Sequence, residues 1–279
     1  MIINGKQISR EVLEKLKEEI RQKNLKLRLA AVLVSNNPGI KKFVELKGKA
    51  AREIGVDFNI FEFPETIAEN LLKEEVRKAV QDEENDGVLI ELPLPKGINA
   101  RDILNEINIG KDVDALSQEA QDLFFSNRSA ILPPSVEAVK IVLEFYGYGI
   151  KDKKAVVFGH GLLVGQPVAY WLSQGGAQVV VIDKHTKDPR EYSIEADIVV
   201  SGVGKPELIG GDMIKDGVVA IDFGYEDKDG RMIGDFKFDE VAPKASLITP
   251  VPGGIGPVVI AAVLKNLVRL SFPKNKTRW

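Results

Sequence analysis

Apolar positions along this chain repeat with two alternating periods. From residue 9 to about 23, Val12, Leu16 and Ile20 recur every four residues, the spacing of one helical face, with Ser9 as the expected N-cap. Residues 29–34 form a short apolar run of strand length. Asn37-Pro38-Gly39 breaks the pattern, and Phe43, Ala50, Ala51 and Ile54 then predict a second helix. A strand over 58–63, a helix over 68–80 and a strand over 87–90 follow, the last running into Glu91-Leu92-Pro93-Leu94-Pro95. Alternating strands and helices predict a parallel sheet covered by helices.

Periodicity is lost from about residue 108 to 134, a stretch with Lys111-Asp112-Val113-Asp114 and Pro133-Pro134 that we read as the inter-domain region. A helix over 135–145 leads to a strand over 154–158 and the turn Gly159-His160-Gly161-Leu162-Leu163-Val164-Gly165. Alternation resumes with a helix near 168–174, strands at 179–182, 198–201, 218–221 and 247–249, and a final helix from about 257 to 270.

Length and composition fit this picture. At 279 residues the chain suits two domains, and its 44% hydrophobic and 28% charged residues are those of an ordinary globular protein. A net charge of −3 with both signs mixed lacks the basic field that nucleic acid or anionic lipid requires, so a small-molecule substrate is expected. The absence of cysteine excludes disulfides and thiolate nucleophiles, and two histidines cannot make a multi-histidine metal centre. No signal-like segment and no apolar run near ~18 residues occur, so a cytoplasmic protein is expected.

Chemistry concentrates at a few places. Strand, then Gly159, Gly161 and Gly165, then helix, offers a dinucleotide pyrophosphate close backbone approach and a helix N-terminus. The spacing departs by one residue from the G-x-G-x-x-G fingerprint. Asp183, 24 residues beyond Gly159 and just past the second strand, can accept from both ribose hydroxyls and repels a 2′-phosphate, which favours NAD and leaves NADP as the second choice. A plain glycine turn with an exposed aspartate is the competing reading. His160 and Val164 within the turn, and Gly204 beyond the strand at 198–201, complete the candidate cofactor set.

In the first half, Phe43 and Lys47 share a helix face, although a helix lysine is usually only solvated. Glu91 stands at a strand's carboxyl end, where open α/β sheets bind ligands. Leu92-Pro93-Leu94-Pro95 reads equally as a rigid connector, and Asp112 and Asp114 as turn formers. Pro250-Val251-Pro252-Gly253-Gly254 combines fixed and permissive backbone suited to close approach of a flat ligand.

These motifs together resemble the methylenetetrahydrofolate dehydrogenase/cyclohydrolases over nearly the whole chain. The resemblance rests on Leu92-Pro93-Leu94-Pro95, Lys111-Asp112-Val113-Asp114, Val164-Gly165-x-Pro167, Ala196-Asp197-Ile198-Val199, Gly234-Asp235 and Thr249-Pro250-Val251-Pro252-Gly253-Gly254-Ile255-Gly256-Pro257-Val258. It implies a two-domain α/β fold: a folate-binding catalytic domain over 1–134, completed by a returning helix over 257–279, and a Rossmann-like doubly wound sheet over 135–256. It further implies folate in the inter-domain cleft, a homodimer formed through the second domain, and a role in one-carbon supply for purine synthesis. Lys47 matches the catalytic lysine, one of Asp112 and Asp114 the carboxylate that holds the pterin, and Pro252, Gly253 and Gly254 the loop against folate and nicotinamide. Glu91 joins Lys47 and the two aspartates as a candidate catalytic residue, with Phe43, Leu92 and Pro93 as candidate substrate contacts.

The chain departs from the family at Phe43, where the family has tyrosine, at Glu91, where it has glutamine, and at Leu132-Pro133-Pro134, His160-Gly161 and Ile182-Asp183-Lys184. The implied activity is oxidation of 5,10-methylenetetrahydrofolate to the methenyl form, with hydrolysis to 10-formyltetrahydrofolate as a second step. A homologue that binds folate and dinucleotide without chemistry, and a dehydrogenase of another small substrate, are the alternatives.

Overall fold

A computed structural model describes residues 1–228 and 231–272. The chain divides into two compact units, one made of residues 11–134 with 260–279, the other of 1–10 with 135–259. The first ten residues thus group with the later part of the chain, not with the expected 1–134 domain, and the expected helical residues 273–279 lie outside those described.

Helix α1 (Gly5–Gln22) opens the chain four residues before the expected start. Asn4, not Ser9, stands at its beginning and accepts from the Gln7 amide, while Ser9 is buried inside the helix. In the first unit follow β1 (Leu27–Leu33), α2 (Pro38–Glu53), β2 (Val56–Glu62), α3 (Glu69–Gln81), β3 (Gly87–Ile90), α4 (Ala100–Leu104) and α5 (Gln118–Phe125). Asn37-Pro38-Gly39 starts α2 as well as ending the strand segment: the Asn37 side chain accepts from the Gly39 and Ile40 amides, with proline at the first turn, and such a cap contributes about 1 kcal/mol. The three strands are parallel in the order β2-β1-β3. The central β1 is almost wholly buried, which explains its unbroken apolar run. The stretch read as irregular carries α5, capped by Ser117, which accepts from Ala120. It also runs beside β3, with Val88 donating to the Lys111 carbonyl.

The second unit contains α6 (Pro134–Phe145), β4 (Lys154–Phe158), α7 (Gly165–Gln174), β5 (Gln178–Ile182), α8 (Arg190–Ser193), β6 (Ile198–Ser201), β7 (Val219–Asp222), the antiparallel pair β8 (Glu226–Lys228) and β9 (Arg231–Ile233), α9 (Phe238–Val241), β10 (Leu247–Ile248) and α10 (Ile255–Leu270). Helix α7 begins at Gly165, three residues before the expected start, and α10 two residues before its own. Helix α10 starts in this unit and continues into the first, where Ile260, Val263, Leu264, Leu267 and Val268 join Leu29, Ala31, Val44 and Ala51 in one apolar core.

Five parallel strands lie in the order β10-β7-β6-β4-β5. From β4 the chain moves outward to β5, then crosses back to β6 and proceeds the other way. The winding therefore reverses between β4 and β6, and a crevice for ligand opens beyond the carboxyl ends of strands at such a switch point. The first residues extend this sheet: Ile3 donates to the Ile248 carbonyl and Ile248 to that of Met1.

Candidate functional site

In the first unit, α2 turns Val44, Lys47, Gly48 and Ala51 inward on one face. Lys47 therefore lies on the apolar side of its helix, not the solvated one. Its Nζ stands 2.5 Å from Glu91 Oε1, and both side chains are more than nine-tenths buried. Glu91 immediately follows β3 and is tied to the sheet through its amide, which donates to the Val32 carbonyl. The Phe43 ring, one turn before Lys47, has its centroid 4.9 Å from Nζ, where the ring face attracts the ammonium. A buried pair of this kind needs good geometry to offset its desolvation.

The two aspartates differ in their surroundings. Asp112 is buried, and its carboxylate accepts from the Leu116 and Ser117 amides, which shapes the turn leading into α5. Burial raises its pKa, against the opposing effect of those donors. Asp114 is only partly covered and has no hydrogen-bond partner among the described residues. Loss of solvent around its carboxyl raises the pKa to about 7; the Lys47 charge opposes this, while Glu91 and Asp112 add to it. Lys47, Glu91 and Asp114 thus form one electrostatic cluster. Leu92 and Pro93 continue directly from Glu91 through a cis peptide bond.

The second unit presents a site of another kind, made mostly of backbone. Gly159 ends β4 with φ +96°, a left-handed conformation that favours glycine. A Cβ on Gly165 would overlap the Gly159 carbonyl, so the turn closes only with glycine there. Gln166 donates its amide to the Gly161 carbonyl and its side chain to that of His160. Among the described residues no side chain caps the start of α7, and Val164 stands at its N-cap. This close-packed glycine turn, leading into an uncapped helix start at the switch point, fits a dinucleotide pyrophosphate.

Asp183 is exposed at the end of β5. It accepts from the His185 amide, at 2.8 Å, and from the Thr186 hydroxyl, and chiefly the first of these holds its carboxyl below the usual aspartate range. Gly204, after β6, also adopts a left-handed backbone. Pro252 follows a second cis bond, and Gly253 has φ +92°. Gly254 donates to the Pro250 carbonyl, and a side chain on Gly5 would overlap the Gly254 carbonyl.

The chain matches two family descriptions: the tetrahydrofolate dehydrogenase/cyclohydrolase catalytic domain over residues 3–114 and the NAD(P)-binding domain of the same enzymes over residues 133–274. It belongs to the tetrahydrofolate dehydrogenase/cyclohydrolase family. The bifunctional protein FolD of Caldanaerobacter subterraneus is 36% identical over 266 residues, 95% of each chain. The crystal structure of the bifunctional FolD methylenetetrahydrofolate dehydrogenase/cyclohydrolase from Campylobacter jejuni is 34% identical with a TM-score of 0.92, covering 97% of this chain and 98% of that one. The Trypanosoma brucei enzyme, solved with NADP and an inhibitor, has the same TM-score at 31% identity, covering 97% and 96%. Membership sets aside an unrelated dehydrogenase built on a similar scaffold.

The helical pattern of Phe43, Ala50, Ala51 and Ile54 alone hid the burial of Lys47, and the sequence did not show the different hydrogen bonding of the two aspartates. The spacing of Val44, Lys47, Gly48 and Ala51, at i, i+3, i+4 and i+7, carried the first signal. Nothing in the sequence distinguished Asp112 from Asp114, because the difference lies in which carboxylate meets backbone amides.

Proposed function

We propose that this family member oxidises 5,10-methylenetetrahydrofolate to 5,10-methenyltetrahydrofolate and then hydrates the methenyl cation to 10-formyltetrahydrofolate. The observation that carries this reading is the buried Lys47–Glu91 pair beside Asp114, a carboxyl with no hydrogen-bond partner among the described residues. A bound nicotinamide dinucleotide supplies the hydride acceptor. Lys47 orients the one-carbon bridge and moves protons to and from water during hydration. Asp114 holds the pterin through hydrogen bonds accepted from its ring nitrogens, and Asp112 supports it by fixing the turn that follows. Phe43, Leu92 and Pro93, with Pro252, Gly253 and Gly254, contact the folate. Gly159, His160, Gly161, Val164, Gly165, Asp183 and Gly204 hold the dinucleotide.

Two finer features follow from side chains in which this chain departs from its family. A fixed carboxylate at Glu91 stabilises the cation formed by hydride loss and opposes its discharge by water, so oxidation outpaces hydrolysis. The anchored, ionised Asp183 faces a ribose rather than a 2′-phosphate, which makes NAD the better cofactor than NADP despite Lys184 and Lys187 nearby. The enzyme acts as a cytoplasmic homodimer that supplies one-carbon units for purine synthesis.

The test is a spectrophotometric assay of both steps with each dinucleotide, in wild type and Glu91→Gln. Oxidation faster with NAD than with NADP, and a hydrolysis-to-oxidation ratio that rises several-fold in the variant, are expected. Hydrolysis that matches oxidation in wild type and falls in the variant would instead make Glu91 the base for water.

A further inference from the structure

Gly234-Asp235, prominent in the sequence, has no part in the chemistry described so far. Asp235 is 1% exposed, yet its carboxylate is among the most heavily engaged in the molecule. Oδ2 accepts from Ser201 Oγ at 2.5 Å, from the Val203 amide at 2.9 Å and from the Gly204 amide at 3.3 Å, while Oδ1 accepts from the Lys205 amide at 2.8 Å. Four donors from one five-residue stretch converge on a single side chain. That stretch is the end of β6 and the loop beyond it.

Asp235 is itself clamped. Its amide donates to Asp222 Oδ1 at 3.1 Å, and the Phe236 amide donates to Asp222 Oδ2 at 3.0 Å, which fastens the segment to the end of β7. Side chains on Gly234 or Gly224 would overlap the Asp222 and Asp235 carboxylates respectively. Glu207 and Ile209 donate to the carbonyls of Gly234 and Asp235, so the loop is gripped on its far side as well.

The loop after β6 faces the glycine turn after β4. A Cβ on Gly202 would come within 2.8 Å of the Val164 side chain, and one on Gly159 within 3.3 Å of the Gly202 carbonyl. These are the two loops that flank the switch point, so the walls of the crevice meet there. We infer that Asp235 is a positioning residue for the dinucleotide: its buried carboxylate gathers Ser201, Val203, Gly204 and Lys205 and sets the loop that forms the wall opposite the glycine turn. Asp235 acts only through that loop.

The inference rests on dinucleotide binding by this unit and is tested with binding first. Asp235→Asn keeps the shape but replaces one acceptor oxygen by an N–H donor, which must face amides that are donors themselves. Calorimetric titration with NAD and with NADP is expected to give a Kd raised at least about tenfold, since charge-assisted hydrogen bonds are lost. Hydrolysis of methenyltetrahydrofolate, which needs no hydride transfer, stays within about twofold of wild type. Ser201→Ala, which removes one donor and leaves the carboxylate in place, raises the Kd about threefold without changing kcat at saturating dinucleotide. Unchanged Kd values in both variants would overturn the inference while leaving the dinucleotide reading intact. Equal loss of binding and hydrolysis in Asp235→Asn, with an unchanged Kd in Ser201→Ala, would reduce Asp235 to a folding role. Failure of wild type to bind either dinucleotide would remove the reading beneath it.

Discussion

The two units build their sites from opposite materials. Around Lys47 the site is charge held out of water: an ammonium and a carboxylate 2.5 Å apart, with a further carboxyl whose pKa is pushed to about 7. Around Gly159 it is backbone brought close by missing side chains. The first kind of site responds to any change of charge, because Lys47 and Glu91 act in opposite directions on the Asp114 carboxyl. The second responds to added bulk and tolerates changes at its rim. The departures from the family pattern follow this division. His160 lies in the glycine turn and Asp183 just past β5, whereas Glu91 belongs to the buried charge cluster.

Removing the charge centre of the first unit should have the largest effect. Lys47→Ala should lower turnover by at least about a thousandfold, the scale of losing a positioned acid–base group. It also leaves Glu91 buried without its partner. The dinucleotide Kd, measured by calorimetry, should stay within about twofold, since the cradle contains no part of the pair. Turnover near wild type would return Lys47 to a structural role.

Bulk is the matching perturbation in the other unit. Gly165→Ala places a methyl where the Gly159 carbonyl stands. The turn must open, and a Kd for dinucleotide weaker by about 10–100-fold is expected, with methenyl hydrolysis retained. Loss of both activities together would mean that the two sites are not separable in this way.

The smallest effect, and the most discriminating, concerns Asp114. Its folded pKa of about 7 lies above the ordinary value of 3.8, so the folded state holds a proton that the unfolded chain releases. Stability from this group is therefore complete below about pH 4 and declines as pH rises toward 7. Asp114→Asn should be more stable than wild type by about 1–3 kcal/mol at pH 8, with the difference vanishing by pH 4, as thermal melts would show. The folate KM of wild type should fall as pH passes 7 and the carboxylate forms, while that of the variant stays high and flat. A variant that is less stable than wild type at pH 8 would contradict the desolvation argument.

Strands were the most legible part of the chain. β3, β4 and β6 have the bounds expected from their apolar runs, because buried parallel strands are apolar on both faces. Helix starts were less so. Helix α1 opens at Gly5, where a side chain would overlap the Gly254 carbonyl almost the length of the chain away, a contact with no local signal. Helix α5 was hidden because only Ala120 and Phe124 of its eight residues are buried, too few for a visible period. At the sites, glycine spacing announced the cradle, since backbone chemistry is written in which residues lack side chains. The Lys47–Glu91 pair was legible only through the family resemblance, because its two residues stand 44 positions apart and no local pattern links them.

The division of the chain has a consequence for its birth on the ribosome. The core around β1 includes Leu264, Leu267 and Val268, which are translated 130 to 134 residues after Pro134. At about 5–20 residues per second, roughly 7–27 seconds separate these events. Throughout that interval the nascent β1, with its run Leu29-Ala30-Ala31-Val32-Leu33, lacks the helix that covers it. The unit that carries the ion pair is thus begun early and closed last, and the intervening sheet has time to form before it.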